Sequence, residues 1–170
     1  MKVFIKNTIA TLLLTLIPPT SALALIVKVV SVHDGDTITV LQNKQQIKVR
    51  LFGIDAPELK QPYGKKSKQF LANLIVGEVV EVEKNGKDRY KRTLGIIHYK
   101  GQDINAQMVL NGYAWAYVKY SRIYAGQEKL ARENKRGLWQ SSDPTPPWEW
   151  RHKKQNTSPF LPFYMKELPL

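Results

Sequence analysis

The chain has 170 residues, no cysteine, and 26 basic against 14 acidic residues, which gives a formal net charge of +12. The lack of cysteine excludes disulfide bonds and the zinc sites that need thiolate ligands, so packing must stabilise the fold. The positive charge favours a polyanionic partner, either nucleic acid or an anionic surface, although charge alone is also compatible with a simple role in solubility.

The first 24 residues have the features of a secretory signal peptide. Two lysines precede an apolar run over residues 9–17, and small residues stand at Ala22 and Ala24. An uncleaved membrane anchor is the alternative, but a spanning helix needs about 20 apolar residues and this run is much shorter. We therefore predict a protein exported to the periplasm or the medium and cleaved after Ala24, with no membrane association afterwards.

Three β-strands are predicted directly after Ala24, because LIVKVVSVH, DTITVLQ and IKVRL have the apolar pattern of strands. The spacing of apolar residues in GKKSKQFLANLIVG then predicts a helix. EVVEVEK at 78–84 and TLGIIHY at 93–99 predict two more strands. Two further helices are expected over DINAQMVLNG, capped by Asp103, and over QEKLARENKR.

This order of elements fits one small α+β domain. Five short antiparallel strands with a helix between the third and fourth are typical of a five-stranded Greek-key OB-fold barrel, here with about three helices. We place the domain at residues 25–140 and expect a monomer. Residues 141–170 are rich in proline, and we predict an extended C-terminal tail rather than a helix there. The fold commonly binds oligonucleotides, but fold alone does not establish catalysis.

Acidic residues stand at the ends of two predicted strands. Asp36 follows an Asp-Gly turn, and Asp55 follows the third strand. Taken alone, the sequence HDGD is more typical of a hairpin turn than of a metal site, and Asp55 could cap the turn before Pro57. Two carboxylates together with main-chain oxygen, however, suit a hard cation with positions left open for water and phosphate. Asp34 is expected to act only from outside the ligand set.

Glu58, Arg50 and Arg92 complete the set of candidate catalytic residues. A carboxylate at Glu58, near the expected ion, could take a proton from an attacking water, although an isolated Pro-Glu is more often an ordinary surface feature. The two arginine forks could hold the oxygens of a scissile phosphate. For Arg92 the alternative is a solvated charged hairpin, DRYKR. Together these acids and arginines indicate metal-dependent hydrolysis of a phosphodiester.

The spacing of Arg50 and Asp55 presents a geometric problem. Residues five apart on a regular strand point to opposite faces, so these two side chains should not meet. Either the chain bulges near Gly53, or the long arginine side chain reaches around it. The sequence leaves both possibilities open.

Three segments, DGDT at 34–37, VRLFGIDAPE at 49–58 and DRYKR at 88–92, resemble the staphylococcal nuclease (thermonuclease) family. The resemblance extends from about Val27 to Trp139. It implies an OB barrel that binds one calcium ion (Ca²⁺) and cleaves DNA and RNA endonucleolytically, without sequence specificity, leaving 3′-phosphate ends.

The resemblance also implies roles for individual residues. Asp36, Asp55 and the main-chain carbonyl of Ala56 would hold the calcium ion, and Glu58 would be the general base. Ala56 departs from the threonine of the best-known member, but a main-chain ligand does not need that hydroxyl. The implied substrate contacts are Arg89, Tyr90, Tyr117 and Tyr120.

Two other classes of function remain open. An OB module that binds single-stranded nucleic acid without cutting it would have the same charge and aromatic residues, but it would not need Asp36, Asp55 and Glu58 together. A cationic protein that adheres to anionic surfaces is the third possibility.

Overall fold

The computed structural model describes residues 24–156. The predicted signal peptide, apart from its last residue, and the end of the predicted tail from residue 157 lie outside the described residues. The strands are β1 Leu25–Val32, β2 Thr37–Gln42, β3 Gln45–Leu51, β4 Ile54–Asp55, β5 Val79–Lys87, β6 Thr93–Tyr99, β7 Gln102–Asp103 and β8 Trp115–Ala116. The helices are α1 Gly64–Ile75, α2 Ile104–Leu110, α3 Ala125–Glu133 and α4 Pro147–Asn156, with a 3₁₀ turn at Gly137–Gln140.

Five long strands close into a barrel. The antiparallel sheet runs in the order β3-β2-β1-β5-β6-β7, and a parallel pairing of β3 with β6 joins its ends. In that pairing Val49 lies beside Thr93, and Leu51 lies beside Gly95. Closure leaves the five strands without a long free edge. The predicted OB-type barrel is confirmed, and the structure has four α-helices where about three were predicted.

The core fills the barrel because alternate residues of each strand point inward. Val29, Ile38, Val49 and Ile97 are fully buried there. Helices α1 and α2 extend this core with Leu71, Ile75 and Met108, among others. A second cluster, made of Trp115, Ala131, Leu138 and Trp139, lies outside the barrel, and Trp148 of α4 packs against it.

The C-terminal segment differs from the predicted extended tail, because residues 147–156 form the helix α4. Proline was taken to exclude a helix there. Pro147, however, is the first helical residue, where its ring fixes a suitable φ and its missing N–H is not needed. The prolines therefore mark where the helix begins. None of the helices within residues 24–156 is long and apolar enough to cross a membrane.

Candidate active site

A cleft of about 650 Å³ opens where β2 begins and β3 and β4 end. The residues predicted to act in catalysis, metal binding and substrate contact all line it: Asp36, Arg50, Asp55, Ala56, Glu58, Arg89, Tyr90, Arg92, Tyr117 and Tyr120. The barrel brings these positions together because β2, β3 and β6 are neighbours in it. The structure thus places the whole predicted set around one cavity.

Asp36 is held in a buried position by the turn before β2. Its N–H donates to Asp34 Oδ1 at 3.0 Å, which closes the turn through a side chain. Its own carboxylate accepts from the Ala56 N–H at 2.7 Å and from the Thr37 hydroxyl at 3.1 Å. At Gly35 a Cβ would stand 1.9 Å from Ser67 Oγ, so only glycine lets this turn pack on α1. The carboxylate is consequently fixed before any ligand arrives.

A turn between β3 and β4 brings Arg50 to Asp55. Gly53 has a φ of +74°, a conformation that glycine adopts without strain, and the chain reverses its side-chain alternation there. Arg50 Nη2 donates to Asp55 Oδ1 at 2.9 Å, and Arg50 Nη1 forms an ion pair with Asp36 Oδ2. The irregularity expected near Gly53 is therefore present, but it is a turn between β3 and β4 rather than a bulge within one strand.

Burial and charge shape the electrostatics of the cleft. Burial raises the pKa of Asp55, which is fully inaccessible to solvent. Burial, followed by the charge of Asp36, raises the pKa of Asp34 to about 7. Burial alone would lower the pKa of Arg50, but Asp36 and Asp55 raise it above its ordinary value. The acids are thus crowded, and cationic groups are needed to stabilise their charge.

Glu58 lies on a loop with a fixed backbone and has a partly exposed side chain. Its N–H donates to Gln61 Oε1 at 3.1 Å, and the Gln61 N–H donates back to the Glu58 carbonyl at 2.8 Å. At Gly64 a Cβ would meet that carbonyl at 1.9 Å, so the loop closes tightly on α1. The Glu58 side chain is 41% exposed, so it is partly open to solvent at the cleft.

Arg92 reaches the cleft from the loop between β5 and β6. Asp88 orders that loop by accepting from the N–H groups of Tyr90 and Arg92, each at 2.9 Å. Arg92 Nε donates to Asp88 Oδ2 at 2.7 Å, and Arg92 Nη1 lies 3.5 Å from Thr37 Oγ1. Burial would raise the pKa of Asp88, but the bonds from Arg92 lower it overall. The loop is thus more ordered than a freely solvated hairpin.

The predicted substrate contacts form two groups on the rim. Arg89 lies over the exposed Tyr90 ring, 4.9 Å from the Arg89 Cζ to the ring centroid. Tyr117 and Tyr120 meet edge to face with centroids 4.8 Å apart, and Tyr120 is 69% exposed. Both groups have ring faces on which bases could stack, and the first group also has the positive charge of Arg89.

Sequence reasoning missed Arg151 of α4. This arginine donates from Nη2 to Asp55 Oδ2 at 2.7 Å and from Nη1 to Glu58 Oε1 at 2.8 Å. The two prolines before Trp148 could have indicated the start of a helix. No local pattern, however, could have placed Arg151 beside an acid 96 residues earlier in the chain.

Within residues 24–156, no three or more His, Cys, Asp or Glu side chains are grouped so as to hold a metal ion. The site offers a smaller set of donors. Asp36 and Asp55 both contact the Arg50 guanidinium, and Ala56 lines the same cleft. Two carboxylates and nearby main-chain oxygens form an oxygen-only donor set, which suits a hard cation that keeps most of its water.

The family model and the similar proteins agree on one family for this chain. Residues 48–141 match the family described as staphylococcal nuclease homologue. An uncharacterized endonuclease of Haemophilus influenzae is 44% identical over 131 residues, covering 75% of this chain and 74% of the relative. An uncharacterized endonuclease of Escherichia coli is 43% identical over 130 residues, covering 75% and 85%. A micrococcal nuclease of Shigella flexneri is 42% identical over 144 residues, covering 77% and 83%.

Proposed function

Since the chain belongs to the family of staphylococcal nuclease homologues, we propose that this nuclease is a calcium-dependent endonuclease. It would hydrolyse DNA and RNA without sequence specificity and leave 3′-phosphate ends. The observation that carries the proposal is the position of Arg50 between Asp36 and Asp55, with Glu58 and Arg92 on the same cleft. A module that only binds nucleic acid has no need for this concentration of buried acids beside arginine.

The two arginines would bind the scissile phosphate. A guanidinium keeps its charge and presents parallel N–H donors that match phosphate oxygens. Arg50 stands at the back of the cleft, and Arg92 approaches from the β5–β6 loop. Because the pentacovalent transition state carries more charge than the ground state, donors fixed in this way stabilise it preferentially.

Glu58 would take the proton from the attacking water. Its backbone is fixed by Gln61, whereas its carboxylate remains partly exposed at the cleft. A positioned base of this kind contributes about 10²- to 10⁴-fold in rate. The proton would move from the water oxygen to a Glu58 carboxylate oxygen as the bond to phosphorus forms.

Asp36 and Asp55 would hold the calcium ion, together with the Ala56 carbonyl. The fit rests on donor chemistry, since both carboxylates are buried and contact the same cation, Arg50. Bound there, a calcium ion would supply a Lewis acid for a phosphate oxygen and would lower the pKa of a ligated water.

The catalytic proposal is tested by nicking of supercoiled plasmid. We expect cutting with calcium, none with chelator, and a loss of at least about 10²-fold in Glu58→Gln, because an amide cannot accept the proton. Glu133→Gln, which changes an exposed glutamate on α3, is the matched control and should cut normally. Cutting that persists both after chelation and in Glu58→Gln would exclude the mechanism. A protein that binds DNA but does not cut it would favour the non-catalytic OB module.

We also propose export, with cleavage after Ala24. The first strand begins at Leu25, where it pairs with Val82 of β5, so that cleavage would leave the barrel intact. Mass spectrometry of protein recovered from the periplasm or medium should give a chain that starts at Leu25. A chain found only in the cytosol, with its first residues retained, would contradict export.

A further inference from the structure

Helix α4 covers one side of the cleft, outside the family match, which ends at residue 141. We propose that Arg151 is a further functional residue of this site: a tethered cation that competes with the divalent ion for Asp55 and at the same time pairs with the proposed base Glu58. On this proposal the ion must displace α4 before the site can act. The inference rests on the proposed calcium dependence and adds to it a competitor built into the chain.

Arg151 engages the carboxylate that would ligate the ion. Asp55 Oδ2 accepts from Arg151 Nη2 at 2.7 Å, and Asp55 Oδ1 lies 3.3 Å from Arg151 Nη1. The same Oδ1 also accepts from Arg50 at 2.9 Å. Calcium binds carboxylate oxygens at about 2.3–2.6 Å, so it would lie within a few ångströms of the Arg151 guanidinium. Two positive charges at that separation repel each other, and they do so more strongly beside a protein surface than in bulk water.

The same guanidinium also engages the proposed base. Arg151 Nη1 donates to Glu58 Oε1 at 2.8 Å. A water that approaches this carboxylate must compete with Arg151 for the Oε1 oxygen. The arrangement with α4 seated therefore restrains both the ligand Asp55 and the base Glu58.

Packing delivers Arg151 to this position. One turn earlier on α4, Trp148 stacks on Tyr117 with centroids 5.5 Å apart and planes 12° apart, and it meets Trp115 edge to face at 5.5 Å. Before the helix, the Thr145 carbonyl accepts from Gln61 Nε2 at 2.6 Å. Trp148 thereby covers a face of Tyr117, which is one of the rings expected to stack on a base.

The hydrogen bonds of Arg151 are exposed enough to be broken when α4 moves. Its side chain is 39% exposed, so water can replace its hydrogen bonds as the helix moves away. Arg50, in contrast, is only 13% exposed and is also paired with Asp36. Of the two arginines that touch Asp55, the one on α4 is therefore the one that an incoming ion displaces.

The test measures calcium binding directly, by titration calorimetry on the full chain without substrate. We expect calcium to bind Arg151→Gln about tenfold more tightly than wild type, since the charge-assisted hydrogen bonds from Arg151 to Asp55 no longer oppose it. Arg122→Gln removes the same charge from an exposed arginine outside the cleft and should bind calcium like wild type.

Two further variants refine the test. Arg151→Lys keeps the charge but not the guanidinium fork, so its calcium affinity should lie between those of wild type and Arg151→Gln. Trp148→Ala, which removes the anchor of α4 but no charge, should also bind more tightly.

Hydrogen exchange provides a second readout that does not depend on affinity. In wild type, calcium should speed amide exchange over residues 148–153, whereas sodium chloride of equal ionic strength should not. If Arg151→Gln and Arg122→Gln bind calcium equally, or if Arg151→Gln binds it more weakly, the competition does not exist. Failure of wild type and every variant to bind calcium would instead reject the proposed function itself. A third outcome is that calcium binds and DNA is cut while amide exchange in α4 does not change. That result would contradict the competition, because the ion and Arg151 would then occupy the site together.

Discussion

At the scale of the residue, the site depends on guanidinium geometry. Arg50 contacts two buried acids at once, one through each terminal nitrogen. Arg92 uses Nε to hold Asp88, which leaves its terminal nitrogens directed toward Thr37 and the cleft. A lysine has a single compact ammonium group and cannot make two divergent contacts in these directions. The two arginines should therefore be irreplaceable even by a residue of the same charge.

We expect Arg50→Lys and Arg92→Lys each to lower kcat by about 10²- to 10³-fold, the usual effect of removing one donor to a transition state. Steady-state kinetics on DNA measure the loss, and circular dichroism checks that the fold persists. Arg122→Lys, at an exposed arginine outside the cleft, is the control. A near-normal rate in either variant would remove that arginine from the catalytic set.

At the scale of the element, the turn between β3 and β4 depends on one side chain of α2. Asn105 is fully buried, and its amide donates to the carbonyls of Phe52 and Gly95 at 3.0 and 3.1 Å. Its Oδ1 accepts from the Ile97 N–H at 3.2 Å. These bonds join the turn that carries Asp55 to the neighbouring strand β6. Helix α2 therefore positions the site although it contributes no candidate catalytic residue.

We expect Asn105→Leu to lower the free energy of unfolding by about 2–4 kcal/mol, because it leaves buried carbonyl and N–H groups without partners. Urea denaturation followed by tryptophan fluorescence measures the change. Asn73→Ala, at an exposed asparagine of α1 that bonds only Gln69 among the described contacts, should change stability by less than about 0.5 kcal/mol. Equal stability of the two variants would show that the Asn105 bonds do not hold the turn.

At the scale of the whole molecule, a strongly basic chain surrounds a cleft that contains several acids. The formal net charge of the full sequence is +12, and the proposed cleavage after Ala24 would lower it by two because it would remove Lys2 and Lys6. The basic surface as a whole would then attract a polyanion over long range, while the acids in the cleft would hold the proposed ion. Substrate capture and chemistry should therefore respond differently to salt.

We expect KM for DNA to rise steeply between about 50 and 200 mM salt, because each phosphate contact releases counterions, while kcat changes little. A plot of log KM against log salt concentration, at fixed calcium, measures the effect. A KM that is independent of salt would mean that the basic surface does not contribute to substrate binding.

Local sequence patterns were sufficient to predict the five long strands. Hydrophobic alternation predicted the five long strands in their correct order because each strand buries alternate residues in the barrel. The short strands β4, β7 and β8 were not predicted, since two residues are too few to show a period. Helix α4 was missed because its prolines were interpreted as breakers rather than as a helix start.

The sequence by itself determined the barrel, the family resemblance and which acids and arginines are available for chemistry, because these depend on composition, periodicity and short motifs. Only the tertiary structure decided how they meet. The turn at Gly53 places Arg50 between two acids, and α4 brings Arg151 to Asp55 across 96 residues of chain. Contacts so distant in sequence depend on how the barrel closes and how the outer helices pack, and no local pattern records that packing.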